Sequence, residues 1–475
     1  MSSEAQQLAR QLLDRLAGQA EPATAAGRSV MPHGVTAARQ PLPGRLGAAT
    51  SPRPTARRAP NRQRNRTLLT DLPQVRESLA RDKQLNDGLA AADRPSPYYR
   101  CHEGVNGATI HLDGREFINY SSYNYLGLAN HPRLIAAARA ALDEYGTTSG
   151  ATRIVSGNIP LHHELERIIA DAYDVNDATT VGSGYLTNAT VIGFVLGEKD
   201  LAVCDALVHN SIVTGAQWAG CQRLQFRHND PESLDSLLTR TRSHFERAMV
   251  ILEGVYSMDG DYVALPEMIE VARRHDAFVM VDEAHSFGVL GERGGGIREL
   301  FGLPGDAVDI WMGTLSKALA NHGGFIAGDR DFIQACRMSA PGMSLYAAGL
   351  TPATAAGTIE AIRVIADEPE RLQRLRANSQ RFLDGAKAAG LDVGPAHGTP
   401  IIPVMIGSTL KAVQAAVLLA DAGINANPIA HPAVAEHEAR LRFFLSSEHT
   451  PDMIDHTLKL LTEIVAGLGP RLSKI

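Results

Sequence analysis

Four polar residues stand directly after short apolar runs and set the chemical possibilities: Ser257, Asp282, His285 and Lys317. Asp282 ends the run Phe278-Val-Met-Val-Asp, where a carboxylate is costly unless it meets a cation or several donors. His285 follows in Asp282-Glu-Ala-His-Ser-Phe-Gly288, and Lys317 in Gly313-Thr-Leu-Ser-Lys-Ala318. Taken alone, Asp-x-x-His is equally a metal half-site or a structural cap, and a lone lysine is usually a solvated surface residue. The chain has only 7 lysines, and this one is set among small and apolar neighbours, which argues against surface placement. A lysine amine desolvated beside a carboxylate-bound heterocycle is the arrangement that pyridoxal phosphate needs. The amine forms the Schiff base, and the acid keeps the pyridine nitrogen protonated so that the ring draws electrons.

The elements that must position these residues are legible from about Tyr98 onward. Val250-Ile-Leu-Glu-Gly254, a helical Pro266 to His275, Phe278 to Asp282, a Gly-rich loop and Ile310-Trp-Met-Gly313 follow one another. Short strands apolar on both faces and separated by crossover helices imply a mostly parallel sheet covered on both sides, an α/β core. Ligands of such sheets sit beyond the carboxyl ends of the strands, where the four polar residues stand. Further on, Thr399 to Val404 and Arg440 to Leu445 read as strands, flanked by helices over Lys411 to Ala422 and Pro451 to Leu468.

The chain from about Tyr98 to its end resembles the α-oxoamine synthases, pyridoxal phosphate enzymes of aminotransferase-like fold type I. The matching segments are Tyr120-Ser-Ser-Tyr-Asn-Tyr-Leu-Gly-Leu128, Thr148-Ser-Gly-Ala-Thr-Arg-Ile-Val-Ser-Gly157, Leu161-His-His-Glu-Leu-Glu166, Gly182-Ser-Gly-Tyr185, Glu253-Gly-Val-Tyr-Ser-Met-Asp-Gly-Asp261, Val281 to Gly291, Gly313 to Ala318 and Arg440-Leu-Arg442. The resemblance implies that Lys317 holds the cofactor and moves protons at the substrate α-carbon. It implies that Asp282 pairs with the pyridinium nitrogen, that His285 bonds the ring's phenolic oxygen, and that His209 stacks on the ring face. Gly184 and Tyr185 match the loop giving backbone amides to the phosphate at a helix N-terminus, Thr314 adds a hydroxyl there, and Ser257 lies beside the ring. Arg442 aligns with the arginine that grips the amino-acid carboxylate. Arg440, two residues earlier on a strand, is spaced to share its face, so the two could exchange roles. No metal is expected.

The implied reaction is decarboxylative condensation of a small L-amino acid (alanine, glycine or serine) with an acyl thioester, giving an α-aminoketone, carbon dioxide and thiol. Tyr123 stands where aminooxononanoate and aminolevulinate synthases generally carry Asn, and is more similar to serine palmitoyltransferases and polyketide-pathway synthases. The stretch Tyr98-Tyr-Arg-Cys-His-Glu-Gly104 is similar to the lead-in of synthases that take acyl groups from an acyl carrier protein, which favours that carrier. The alternative is an acyl-coenzyme A-using synthase of the aminooxononanoate or serine palmitoyltransferase type. Ala347 and Ala348 replace hydroxyls that reach a neighbouring subunit's phosphate in relatives. An aminotransferase would share Asp282 and Lys317 without needing the Ser-Met-Asp-Gly-Asp and His285 patterns, and a silent binding subunit would not need Lys317. The resemblance also implies a homodimer with active sites at its interface, and the few, scattered cysteines fit a reducing compartment, so a cytoplasmic location is expected.

Composition separates two parts of the 475 residues. Residues 1–66 carry a formal charge of +8 and the remainder −14, within a total of −6. Ser3 to Gly18 has Ala5, Leu8, Leu12, Leu13 and Leu16 on one helical face, whereas Ala20 to Arg66 is Ala-, Pro- and Arg-rich and cannot bury enough apolar surface to offset ordering entropy. The expected organisation is an N-terminal extension over 1–95, with a short helix over 3–18 and a disordered Arg/Pro-rich linker. A large cofactor domain with its N-terminal segment follows over 96–360, and a smaller C-terminal domain over 361–475. Residues 2–18 are a candidate docking segment for a partner protein. Glu4 and Asp14 argue against a transit peptide, and the Arg cluster lacks the aromatics and motifs of nucleic-acid binding. No apolar run is long enough for a membrane span, and Cys101, Cys204, Cys221 and Cys336 form no C-x-x-C pair, against a disulfide framework or zinc knuckle.

Overall fold

The computed structural model describes residues 68–468 except 92, 93 and 432. The expected helix over 3–18, the linker that follows it and the docking role of residues 2–18 lie outside the described residues. Residues 1–72 form a unit of their own, whose described part is one 3₁₀ turn at Leu69–Asp71. The rest of the chain is organised around a seven-stranded sheet. Its strands are β1 (Asp177–Val181), β2 (Leu201–Asp205), β3 (Gln222–Phe226), β4 (Ala248–Glu253), β5 (Phe278–Asp282), β6 (Ile310–Thr314) and β7 (Gly324–Gly328), in the spatial order β1-β7-β6-β5-β4-β2-β3. All neighbours are parallel except those of β7, which runs antiparallel to both β1 and β6.

The apolar runs become strands because both of their faces are covered. All six residues of β4 are buried, and the helix Leu265–Arg274 lays Leu265, Met268, Ile269, Val271 and Ala272 against the core at helical spacing. Each large aliphatic side chain so buried contributes about 1.5–3 kcal/mol. The carboxyl ends of adjacent strands then deliver Asp205, Glu253, Asp282 and Thr314 along one edge of the sheet.

Two smaller sheets complete the catalytic part. Ile401–Met405, Arg440–Phe444 and Asn427–Ile429 form an antiparallel three-stranded sheet with Arg440–Phe444 at its centre, close to the expected strands. The helices Thr409–Asp421 and Pro451–Gly467 also fall close to where periodicity places them. A four-stranded sheet joins His102–Glu103, Thr109–Leu112 and Arg115–Asn119 to Ile424–Asn425, which pairs in parallel with the last of these. Strands near the start of the catalytic region thus share a sheet with residues from its far end, and the helix Pro352–Asp367 runs across the expected boundary at 360/361. Residues 73–91 form a helix within the expected N-terminal extension. Asp82 and Asn86 interrupt the face that Val75, Leu79 and Leu89 share, so its apolar stripe is weak in the sequence.

Glu166 shows how the loop 148–158 is tied to this frame. Its buried carboxylate receives both terminal nitrogens of Arg153, the backbone N–H of Thr180 on β1 at 2.8 Å, and Arg337 at 3.5 Å. Arg153 supplies the bidentate half of this network, and removing one partner of a buried pair costs up to about 3–5 kcal/mol, here partly offset by Arg337. Arg153→Met should therefore lower the urea midpoint strongly, whereas Arg167→Ala, at an exposed pair with Asp171, should barely move it. Equal midpoints for the two variants would show that Arg153 does not anchor this loop.

Candidate active site

All ten residues singled out for cofactor or substrate contact line one cavity of about 320 Å³ at the carboxyl edge of the sheet: Tyr123, Gly184, Tyr185, His209, Ser257, Asp282, His285, Thr314, Lys317 and Arg442. Five strand ends and connections of the large sheet, at β1, β2, β4, β5 and β6, supply eight of them, and the three-stranded sheet supplies Arg442. Arg440 does not line the cavity.

The floor is electrostatic. Asp282, at the end of β5, accepts the backbone N–H of Ala284 at 2.9 Å and Asn188 Nδ2 at 2.7 Å. The same Asn188 nitrogen donates to Ser211 Oγ at 2.9 Å, and Ser211 Oγ lies 2.8 Å from His209 Nδ1. Asp282 and His209 are therefore held in one hydrogen-bonded chain. Glu253, cross-strand neighbour of Asp282, is buried beside it and accepts the backbone N–H of His209. Burial, and then the charge of Asp282, push its carboxyl well above the usual carboxylate range. Lys317 Nζ stands 5.8 Å from the centre of the Tyr123 ring, and burial lowers its ammonium to about 8, with Asp282 and Glu253 opposing the shift. A free amine is thus accessible near neutrality, as a nucleophile or proton carrier requires.

Gly184 and Tyr185 are the first residues of the helix Gly184–Val195, which Ser183 caps by accepting the N–H of Leu186. Their backbone N–H groups belong to the unpaired first turn and face a site where an anion is favoured. A Cβ on Gly184 would sit 2.7 Å from Thr314 Oγ1, so only glycine lets the helix end approach β6 this closely. Thr314 Oγ1 bonds Gly323 O at 2.9 Å and lies 2.8 Å from Ser316 Oγ. Burial, followed by the charges of Lys317, Arg442 and His209, lowers His285 well below the usual histidine range, and burial lowers His209. Both rings are neutral at physiological pH.

The two arginines divide their work by depth. Arg440 is 4% exposed and engaged through Nε and Nη1: it pairs with Asp259 and donates to Met258 O at 3.1 Å and Glu438 O at 2.8 Å. Arg442 donates to Ser257 O at 2.9 Å, lies over Phe444 at 4.5 Å, and keeps a buried Nε without a partner among the described residues. Of the two, Arg442 is the one that faces the cavity, with donors to offer there. Ala347 and Ala348 stand away from this cavity, and Ala348 bridges Thr152.

Several residues of the site were not read from the sequence. Asn188 lies four residues after Gly184 on one helix face, a spacing that could have flagged it. Glu253, Ser183, Ser211, Ser316 and His322 line the cavity too. His228 lies behind the site, where Nδ1–H donates to Asp205 Oδ1 at 2.9 Å and Nε2–H to Asp261 Oδ2 at 3.0 Å. Burial opposes its charge, but the two carboxylates overcome this and raise it to about 10. This clamp joins the end of β2 to the loop that presents Ser257 and Met258 to the arginines.

The donor set suits pyridoxal phosphate. A buried carboxylate could meet a ring N–H, a desolvated amine the aldehyde, a neutral imidazole the phenolic oxygen, and a helix N-terminus the phosphate. Among the described residues no group of three or more His, Cys, Asp or Glu could hold a metal, and no helix is long and apolar enough to cross a membrane.

Comparison with known proteins points the same way. The family profile described as aminotransferase class I and II matches residues 115–461. The 8-amino-7-oxononanoate synthase of Thermoanaerobacter pseudethanolicus is 37% identical over 362 residues, covering 76% of this chain and 91% of that protein. The serine palmitoyltransferase of Sphingobacterium spiritivorum is 35% identical over 367 residues, covering 77% and 91%. Among solved structures, a serine palmitoyltransferase with PLP as internal aldimine superposes with a TM-score of 0.79 at 32% identity, covering 85% of this chain and 100% of that one. The Sphingomonas wittichii serine palmitoyltransferase gives a TM-score of 0.79 at 30% identity, covering 85% and 99%.

The His228 clamp generates a pH prediction. A histidine whose folded pKa is raised contributes stability that is fully present below its unfolded value, about 6.5, and is lost as pH rises through about 10. Wild type should therefore lose its stability advantage over His228→Gln across that window in chemical unfolding. A pH-independent difference between the two would contradict the clamp.

Proposed function

The chain belongs to the α-oxoamine synthase family of fold type I pyridoxal phosphate transferases, and on that premise we propose that it condenses a small L-amino acid with a carrier-protein-bound acyl thioester. It is an acyltransferase whose C-acyl transfer is coupled to decarboxylation, and pyridoxal phosphate is its cofactor. When bound, the cofactor supplies the electron sink for the substrate's α-carbon pair. The new bond joins the amino acid's α-carbon to the thioester carbonyl; the carbon–sulfur bond and the bond to the carboxylate break. Carbon dioxide leaves, and protons return to the α-carbon and the thiolate.

The convergence of Lys317, Asp282, His285 and Arg442 on one cavity carries this reading. Lys317 takes and returns the α-proton, and its lowered pKa of about 8 keeps the amine available. Asp282, braced by Asn188 and the Ala284 N–H, holds the proton on the ring nitrogen. His209 covers the ring face, His285 serves the phenolic oxygen, and Gly184, Tyr185 and Thr314 hold the phosphate. Arg442 grips the substrate carboxylate with a planar fork of donors. Ser257 lies beside the ring. Tyr123, Met258 and Phe444 crowd Arg442, which supports a small amino-acid side chain. The +8 charge of residues 1–66 supports an acidic carrier protein as acyl donor, drawn by long-range attraction. A homodimer, located in the cytoplasm, belongs to the same reading. The alternative acyl donor is acyl-coenzyme A.

Purified protein supplied with alanine, glycine or serine and an acylated carrier protein should release carbon dioxide and an α-aminoketone in equal amounts by mass spectrometry. Transamination of a 2-oxo acid without carbon–carbon bond formation would sink the condensation reading, and equal rates with acyl-coenzyme A would sink the carrier preference. Arg442→Lys should raise the amino-acid KM by roughly 10- to 100-fold, the loss of one or two charge-assisted hydrogen bonds. Arg440→Lys should change that KM far less, and the reverse order would exchange their roles.

A further inference from the structure

Tyr125 is not among the residues that line the cavity, yet its hydroxyl is 2.8 Å from His285 Nδ1. The side chain is fully buried, and that is the hydroxyl's one hydrogen bond among the described residues. His285 Nε2 makes no protein hydrogen bond there, is not among the buried unpartnered atoms, and belongs to a ring that lines the cavity. The Tyr125–His285 pair contains two mobile protons with different prospects. Burial, with the neighbouring Tyr123, holds the phenol well above its ordinary pKa, while burial and the cations Lys317 and Arg442 hold the imidazole well below its own. The pair is therefore a neutral phenol and a neutral imidazole, which carries one N–H.

Two arrangements of those protons exist. If Nδ1 carried the imidazole proton and donated to the phenol, the tyrosine's own O–H would be buried without an acceptor, and Nε2 would face the cavity as a bare acceptor. If the phenol donates to Nδ1, every proton is used and Nε2–H points into the cavity. We propose that Tyr125 is a positioning residue that fixes His285 as its Nε2–H tautomer, making it an obligatory donor to the cofactor's phenolic oxygen. The proposal rests on the assignment of pyridoxal phosphate to this cavity for the donor's purpose, but not on the identity of either substrate. Tyr125 then acts as the counterpart of Asn188: one braces the acceptor at Asp282, the other the donor at His285, and the ring is addressed at both ends by groups of fixed polarity.

The test uses the full-length chain in two forms. In the cofactor-free protein, long-range ¹H–¹⁵N imidazole spectra should show His285 with an unprotonated, hydrogen-bonded Nδ1 and a protonated Nε2, and Tyr125→Phe should convert it to a mixture of tautomers. In the loaded protein, Tyr125→Phe should move intensity from the visible to the near-ultraviolet cofactor band, with the circular dichroism spectrum and the phosphate-dependent binding of the cofactor retained. A wild-type His285 protonated at Nδ1, or a Tyr125→Phe variant that keeps both the single tautomer and the wild-type band ratio, would overturn the proposal. Because the tautomer is read without cofactor or substrate, failure of the condensation assay would leave this result standing, and the reverse also holds.

Discussion

Glu253 and Asp282 end adjacent parallel strands, about 4.8 Å apart across the sheet, in surroundings that exclude water. Two carboxylates so placed cannot both be charged. The structure treats the two asymmetrically: Asp282 receives two donors, whereas Glu253 receives the His209 backbone N–H on one oxygen and is driven toward its neutral form. Everything above the floor depends on this division. A second anion there would compete for Lys317 and draw a proton toward His209, and the amine would lose the lowered pKa that makes it reactive near neutrality.

The site also depends on a loop that makes no chemistry of its own. Residues 254–263 are pinned from one side by His228 and from the other by Arg440, and they hand backbone and thioether acceptors to Arg442. At Gly260, φ is +71° and an added Cβ would lie 1.9 Å from Ile401 O, so the loop meets the three-stranded sheet at backbone distance. Substrate selection through Arg442 is thereby coupled mechanically to the arrangement of the large sheet, although the arginine belongs to a different one.

The sequence made the core and the motif-bearing residues legible for physical reasons. Strands buried on both faces must be apolar throughout, so β4, β5 and β6 declared themselves, and the polar residue that ends each run could be read as facing the site. What escaped was mostly carried by long-range pairing without local signature. Tyr125 meets His285 across 160 residues of chain, and Asn188 meets Asp282 across 94. His228 looks like any polar loop residue until Asp205 and Asp261 arrive on either side of it. The choice between Arg440 and Arg442 was open in the sequence because alternate positions on a strand share a face. It needed the fold, which pairs Arg440 with Asp259 outside the cavity and sets Arg442 in its wall.

The parallel pairing of Ile118 and Asn119 with Ile424 and Asn425 bears on the order in which the protein can be made. A ribosome releases the first pair some 300 residues before the second, after the whole central sheet has emerged. Through that interval the strand Arg115–Asn119 keeps one edge of unpaired N–H and C=O groups, which is the geometry that recruits foreign strands. Tyr120 to Tyr125 follow directly, so the segment carrying the tautomer-setting tyrosine is among the last to be locked. A nascent chain therefore reaches catalytic competence only as its C-terminal strands close behind it, and folding factors that shield open sheet edges would act here on activity as well as on solubility.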